Sequence, residues 1–143
     1  MLRPDHGLHF RTWPGAWDKF EDAAAQKPGA EGRVVGLDLW ADGTKGDAAV
    51  EFEGTWEVGQ EGTYKFYLYD KGTSLRIGDE QVARMDRVSF NPAMGKVALG
   101  AGRHKIRITA LRKGEHPHLR VAVEGPGLPF QSIPLDTLFL PGE

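Results

Sequence analysis

The sequence predicts an all-β protein, an antiparallel β-sandwich or barrel with one short helix near its N-terminus. Three observations lead there. Apolar and polar residues alternate at period two along a series of short stretches rich in aromatic and β-branched side chains. Clusters of Gly, Pro, Asn and Asp break those stretches about every 8–12 residues, the rhythm of a sandwich or barrel. Helical spacing occurs in one place, Ala16–Gln26, where Trp17, Phe20 and Ala24 share a face and Pro28-Gly29 follows as a stop.

Taken in order, Gly7–Trp13 alternates enough to be an opening strand, closed by Pro14-Gly15. The helix comes next, then Gly32–Leu39 with strand character and the turn-rich Trp40–Asp47. The clearest pattern is Gly54–Gly72. Trp56 and Val58 alternate with Thr55 and Glu57, and Tyr64, Phe66 and Leu68 alternate with Lys65, Tyr67 and Tyr69. The intervening Gly59-Gln60-Glu61-Gly62 predicts that these two strands form a hairpin. Ser74–Ile77 and Gln81–Met85 read as a second hairpin about Gly78-Asp79. Gly95–Leu99 and His104–Arg112 follow, joined by Gly100-Ala101-Gly102, and Ile106, Ile108 and Ala110 point inward. Leu119, Val121 and Val123 share a face, and Ile133-Pro134-Leu135 leads to a closing segment, Leu138–Leu140. The expected core is Trp56, Tyr64, Phe66, Leu68, Ile106, Ile108 and Val121.

Composition bounds the function. A chain of 143 residues with 40% hydrophobic content, four Trp, seven Phe and three Tyr builds a packed core. Its 18 Lys and Arg against 20 Asp and Glu provide no broad attraction for nucleic acid or anionic membrane, so neither is expected as a partner. Cysteine is absent, which excludes disulfides and Cys-based zinc or nucleophilic chemistry. No stretch approaches the ~18 consecutive apolar residues of a membrane-spanning helix. The start, Met1-Leu2-Arg3-Pro4-Asp5, lacks the apolar core of a signal peptide. The chain is therefore either intracellular or a domain of a longer secreted protein. It carries no nucleophile elbow, no phosphate-cradling Gly loop and no metal-spaced cluster, so no catalysis is expected.

Four stretches, in order, carry a family resemblance. Trp56–Leu68 (WEVGQEGTYKFYL) resembles the hallmark of the PA-fourteen domain, the β-sandwich module named from anthrax protective antigen. Gly7-Leu8-His9-Phe10 with Gly15–Phe20 is similar to that family's opening segment, and Val35–Leu39 to its next strand. Leu119–Gly127 with Ile133-Pro134 resembles its exit. The resemblance spans roughly residues 7–140, which implies a lead-in at 1–6, one PA-fourteen-like domain at 7–140 and a tail at 141–143. It further implies a non-catalytic accessory module of an extracellular, periplasmic or cell-surface protein, built into a longer chain. Its partner would be a glycan. The other reading is a spacer or protein-interaction module that contacts a neighbouring domain.

In sugar-binding members of that family, two adjacent aspartates after the Tyr-x-Phe strand hold a calcium ion that grips sugar hydroxyls. The first matches Asp70; the second position is Lys71. The loop matching the family's second ligand loop, Lys113–His118, carries Glu115, His116 and His118 but no Asn or Asp. An ammonium in place of a carboxylate opposes a cation by about 4 kcal/mol per unit charge at 4 Å and an effective dielectric of about 20. It also supplies no oxygen ligand. The expectation is no calcium and no other cofactor, with any sugar binding weak and calcium-independent. Candidate glycan-binding residues are Asp70, Lys71, Trp40, Glu115, His116 and His118. Each has a plainer alternative. Asp70 could accept N–H groups of its own turn before Gly72. The two imidazoles could simply be solvated, and Trp40 could pack. Asp18, Glu21 and Asp22 read as a solvated helix face.

Overall fold

The computed structural model describes residues 3–86, 91–113 and 118–141. Two antiparallel sheets pack face to face. Among the described residues the larger has seven strands: β1 (Leu8–Pro14), β2 (Ala30–Val34), β3 (Ala48–Val58), β5 (Thr73–Ile77), β6 (Glu80–Met85), β8 (Gly102–Arg112) and the short β11 (Leu138–Phe139). Their order is β2-β1-β3-β8-β5-β6, with β11 pairing β3 beyond the end of β1. The smaller sheet runs β10-β9-β4-β7 and contains β4 (Gly62–Leu68), β7 (Ala93–Leu99), β9 (Val121–Gly125) and β10 (Leu128–Ser132). The fold is a sandwich.

Period-two alternation puts the apolar set of each strand between the sheets. Trp56, Phe52 and Val50 from β3, Ile106 and Ile108 from β8, and Tyr64, Phe66 and Leu68 from β4 are all at most 2% exposed. Trp56 meets Tyr64 edge-on at 5.3 Å and Phe66 at 5.1 Å between ring centroids, geometries that suit the ring quadrupoles. Its indole N–H donates to Thr137 Oγ1 at 3.1 Å. All seven expected core residues lie inside.

The expected hairpin of β3 and β4 does not form. β3 pairs β1, β8 and β11; β4 pairs β7 and β9 in the opposite sheet. Residues 59–61 turn a corner between sheets, so Trp56 faces Tyr64 and Phe66 across the core. The hairpin of β5 and β6 about Gly78-Asp79 is present. The helix is shorter than expected: α1 covers Phe20–Ala24, and its buried residues are Phe20 and Ala23, not Ala24. It lies on the outer side of the larger sheet, where Phe20 and Ala23 cluster with Trp13 and Ala49. The strand expected over Gly32–Leu39 ends at Val34, and 35–39 is irregular apart from a bridge between Asp38 and His118. At the junction of β6 and β7 the backbones approach so closely that a Cβ on Gly95 would stand 1.7 Å from the Val82 carbonyl oxygen. Glycine alone fits there.

Candidate functional site

Three loop segments meet at one end of the sandwich, and hydrogen bonds made by backbone N–H groups hold them together. The Leu119 N–H donates to Leu37 O at 3.0 Å, Asp38 bridges His118, and the Arg120 N–H donates to Asp70 Oδ2 at 3.0 Å. The turn after Asp70 is tied back by the Gly72 N–H, which donates to Met85 O at 2.7 Å, with Gly72 at φ 81°. That left-handed backbone favours glycine.

Arg112 organises the first of these segments. It falls on the inward phase of β8, after Ile106, Ile108 and Ala110, and its side chain is 1% exposed. The guanidinium donates from Nε to Gly46 O at 2.6 Å, and from Nη1 to Leu39 O and Asp42 Oδ1, both at 2.8 Å. From Nη2 it donates to Thr44 Oγ1 at 2.8 Å. A buried ion pair is stable only when its remaining donors and acceptors are satisfied, and here they are. Burial would raise the Asp42 pKa, but the Arg112 hydrogen bond, the Thr44 N–H and the Arg112 charge outweigh it and hold the carboxyl below its ordinary value.

Trp40 sits on this braced loop. It is half-buried and packs against the core, and the Lys45 ammonium stands 4.7 Å from its ring centroid. Its N–H is held by Asp38 Oδ1 at 2.9 Å, while its indole N–H is buried with no acceptor among the described residues.

Asp70 is oriented toward the start of β9. Besides the Arg120 N–H, its Oδ1 lies 3.6 Å from the Arg120 guanidinium, which also stands 5.3 Å from the Tyr69 ring centroid. Lys71 is exposed and faces a different neighbourhood. It lines a groove of about 360 Å³ with Asp18, Glu21, Arg84 and Asp86, between α1 and β5. The structure therefore brings Trp40's loop, His118 and Asp70 side by side and turns Lys71 toward the helix. Glu115 and His116 lie outside the described residues. Among the described residues no group of three His, Asp or Glu could hold a metal ion.

Arg112, Asp42 and Arg120 were not singled out from the sequence. For Arg112 a signal existed, since an arginine on the inward phase of an apolar alternation needs buried partners. For Arg120 none did, because its acceptor is fifty residues away in sequence.

No family model matches the sequence, and no curated protein does either. Solved structures do. The PA14 domain of MpAFP antifreeze protein superposes with a TM-score of 0.76 at 16% identity, over 100% of this chain and 96% of that one. The PA14 sugar-binding domain from an RTX adhesin gives 0.69 at 22% identity, over 96% and 99%. An anti-sigma factor domain-containing protein from Clostridium clariflavum gives 0.67 at 20%, over 98% and 51%. The chain spans about half the length of the anti-sigma factor domain-containing proteins it matches. Likeness at such low identity speaks for architecture alone, and the architecture is that of a PA-fourteen domain.

Proposed function

We propose that this chain is a non-catalytic, carbohydrate-binding accessory module that recognises a glycan through the loop end holding Trp40, Asp70 and His118, without calcium. The observation that carries the carbohydrate reading is the superposition, over nearly the whole chain, on a domain described as sugar-binding. Calcium independence rests on Asp70. Its carboxylate already meets the Arg120 N–H and guanidinium, and the adjacent side chain is an exposed ammonium aimed at another groove. A calcium ion asks for six to eight oxygens. Among the described residues no group of three His, Asp or Glu stands close enough to supply such a shell.

In this reading Asp70 offers sugar hydroxyls an acceptor, and Arg112 keeps the Trp40 loop in place. The domain would occupy residues 7–140 and work outside the cell as part of a longer chain. No helix among the described residues is long and apolar enough to cross a membrane.

The test is a glycan array probed with and without a chelator, followed by titration calorimetry. Weak binding that survives chelation and falls with Asp70→Ala is expected. Calcium-specific heat suppressed by Asp70→Ala would overturn the calcium-independent mode. An array blank under both conditions would overturn the carbohydrate reading and leave the spacer or protein-interaction module.

A further inference from the structure

We propose that the outer face of the smaller sheet is a stacking platform for successive rings of an extended oligosaccharide, continuing from the Asp70 loop. The proposal rests on the carbohydrate reading above but assigns a different surface. The register places its parts. Tyr67 stands opposite Met94 on β7 and Ala122 on β9, all on the outward phase, while Phe66 and Leu68 point inward. Phe130 from β10 meets Tyr67 edge-on at 5.1 Å and 73°. Phe130 is 55% exposed and Met94 is 50% exposed. At the loop end of the same strand, Tyr69 lies under the Arg120 guanidinium, and Arg120 in turn holds Asp70. The face is thus a pair of rings, Phe130 and Tyr67, continued toward the candidate loop by the Arg120 guanidinium over Tyr69.

The polar groups beside that line suit a sugar. Tyr67 donates its hydroxyl to Glu124 Oε2 at 2.8 Å, which fixes the ring and leaves Oε1 for a sugar hydroxyl. Lys65 lies directly opposite both Glu124 and Lys96, so Lys65 and Lys96 bring two ammonium donors to the same face. A shallow depression lined by Glu124, Gly125, Leu128 and Phe130 adjoins it. Pyranose rings are amphipathic, with C–H groups on the faces and hydroxyls on the rim. Rings flanked by a carboxylate and amines match both.

A protein partner fits less well. Two half-exposed apolar side chains offer roughly 200 Å², against the ~800 Å² per partner of a stable interface. Charges interrupt the strip on both sides.

The experiment is an NMR titration of the chain with di- and hexasaccharides of cello-, xylo-, chito- and malto-series, repeated on Phe130→Ala. The expected result is that one hexasaccharide binds more tightly than its disaccharide and shifts the Met94 methyl and Ala122 amide. Phe130→Ala then weakens the hexasaccharide about tenfold, leaving the disaccharide affinity and the melting temperature unchanged. Shifts confined to the loops at 37–44 and 70–72, or an unchanged hexasaccharide affinity in Phe130→Ala, would overturn the platform and leave the loop site standing. Platform shifts without loop shifts would support the platform and remove the loop site. An absence of shifts with every sugar would overturn both. Concentration-dependent dimers dispersed by Phe130→Asp would also overturn the platform, in favour of a contact between copies.

Discussion

The two outer faces of the sandwich treat their side chains in opposite ways. On the larger sheet the exposed positions close on themselves. Glu51, 5% exposed, is gripped by Arg11 Nη1 at 2.8 Å and Arg107 Nε at 2.6 Å, and Arg11 reaches on toward Glu31 and Glu53. Helix α1 covers part of the rest. On the smaller sheet the outward positions set aromatic and apolar residues among Lys65, Lys96 and Glu124, and Phe130 and Met94 stay half-exposed. The first face has matched its own charges and asks for nothing further. The second keeps apolar surface in water, which folding alone does not require.

The sharpest break of this contrast is between the two sides of the smaller sheet. Phe66→Ala removes a ring with no exposure and should destabilise by about 3–5 kcal/mol in chemical denaturation. A loss below about 1 kcal/mol would mean the strand is inverted and Tyr67 is core. Arg112→Leu should follow at about 3 kcal/mol, because it strands the buried Asp42 carboxylate.

The same pair gives a pH dependence. The Asp42 pKa is lowered on folding, so its contribution is complete above the ordinary value of 3.8 and drains away as pH falls through the lower folded value. Stability measured from neutral to strongly acidic pH should therefore show the wild type losing its advantage over Asp42→Asn only at the acidic end. On the larger outer face, Glu51→Gln should cost about 1–2 kcal/mol, since Arg11 and Arg107 are a third or more exposed and can turn to water. Smallest of all, Phe130→Ser should change the melting free energy by less than about 0.5 kcal/mol. A large loss there would show that Phe130 is structural and erase the difference between the faces.

Alternation fixed the inward face of β3, β4, β8 and β9, and with it the seven expected core residues. It says nothing about which strand is the neighbour. The strands of Trp56 and Tyr64 read as one hairpin because two strands facing each other across a core have the same pattern as two strands side by side in a sheet. The helix slipped from Ala24 to Ala23 because one turn is too short for spacing to choose a face. At the candidate site, Asp70 and the aberrant Lys71 were legible, being neighbours on a loop. The Arg120 N–H that meets Asp70 was not, since register between β4 and β9 decides it. The outward aromatics were visible as the odd residues of the Tyr64–Tyr69 alternation, but without Phe130 beside Tyr67 they look like ordinary exposed tyrosines.

The strands nearest the two ends of the chain both lie along β3, and the segments beyond them hold hands. The Gly7 N–H donates to Leu138 O at 3.1 Å and the Leu140 N–H to Asp5 O at 2.9 Å. His6 stacks on Phe139 at 4.5 Å. In polymer terms the domain is a ring that is almost closed. Joining its ends by a few residues and cutting a surface loop elsewhere would add little closure entropy, so a circular permutant opened at 78–79 should keep the sandwich. Tension applied between the ends would likewise enter and leave at one seam, parting these few bonds in turn before it reached the aromatic interior.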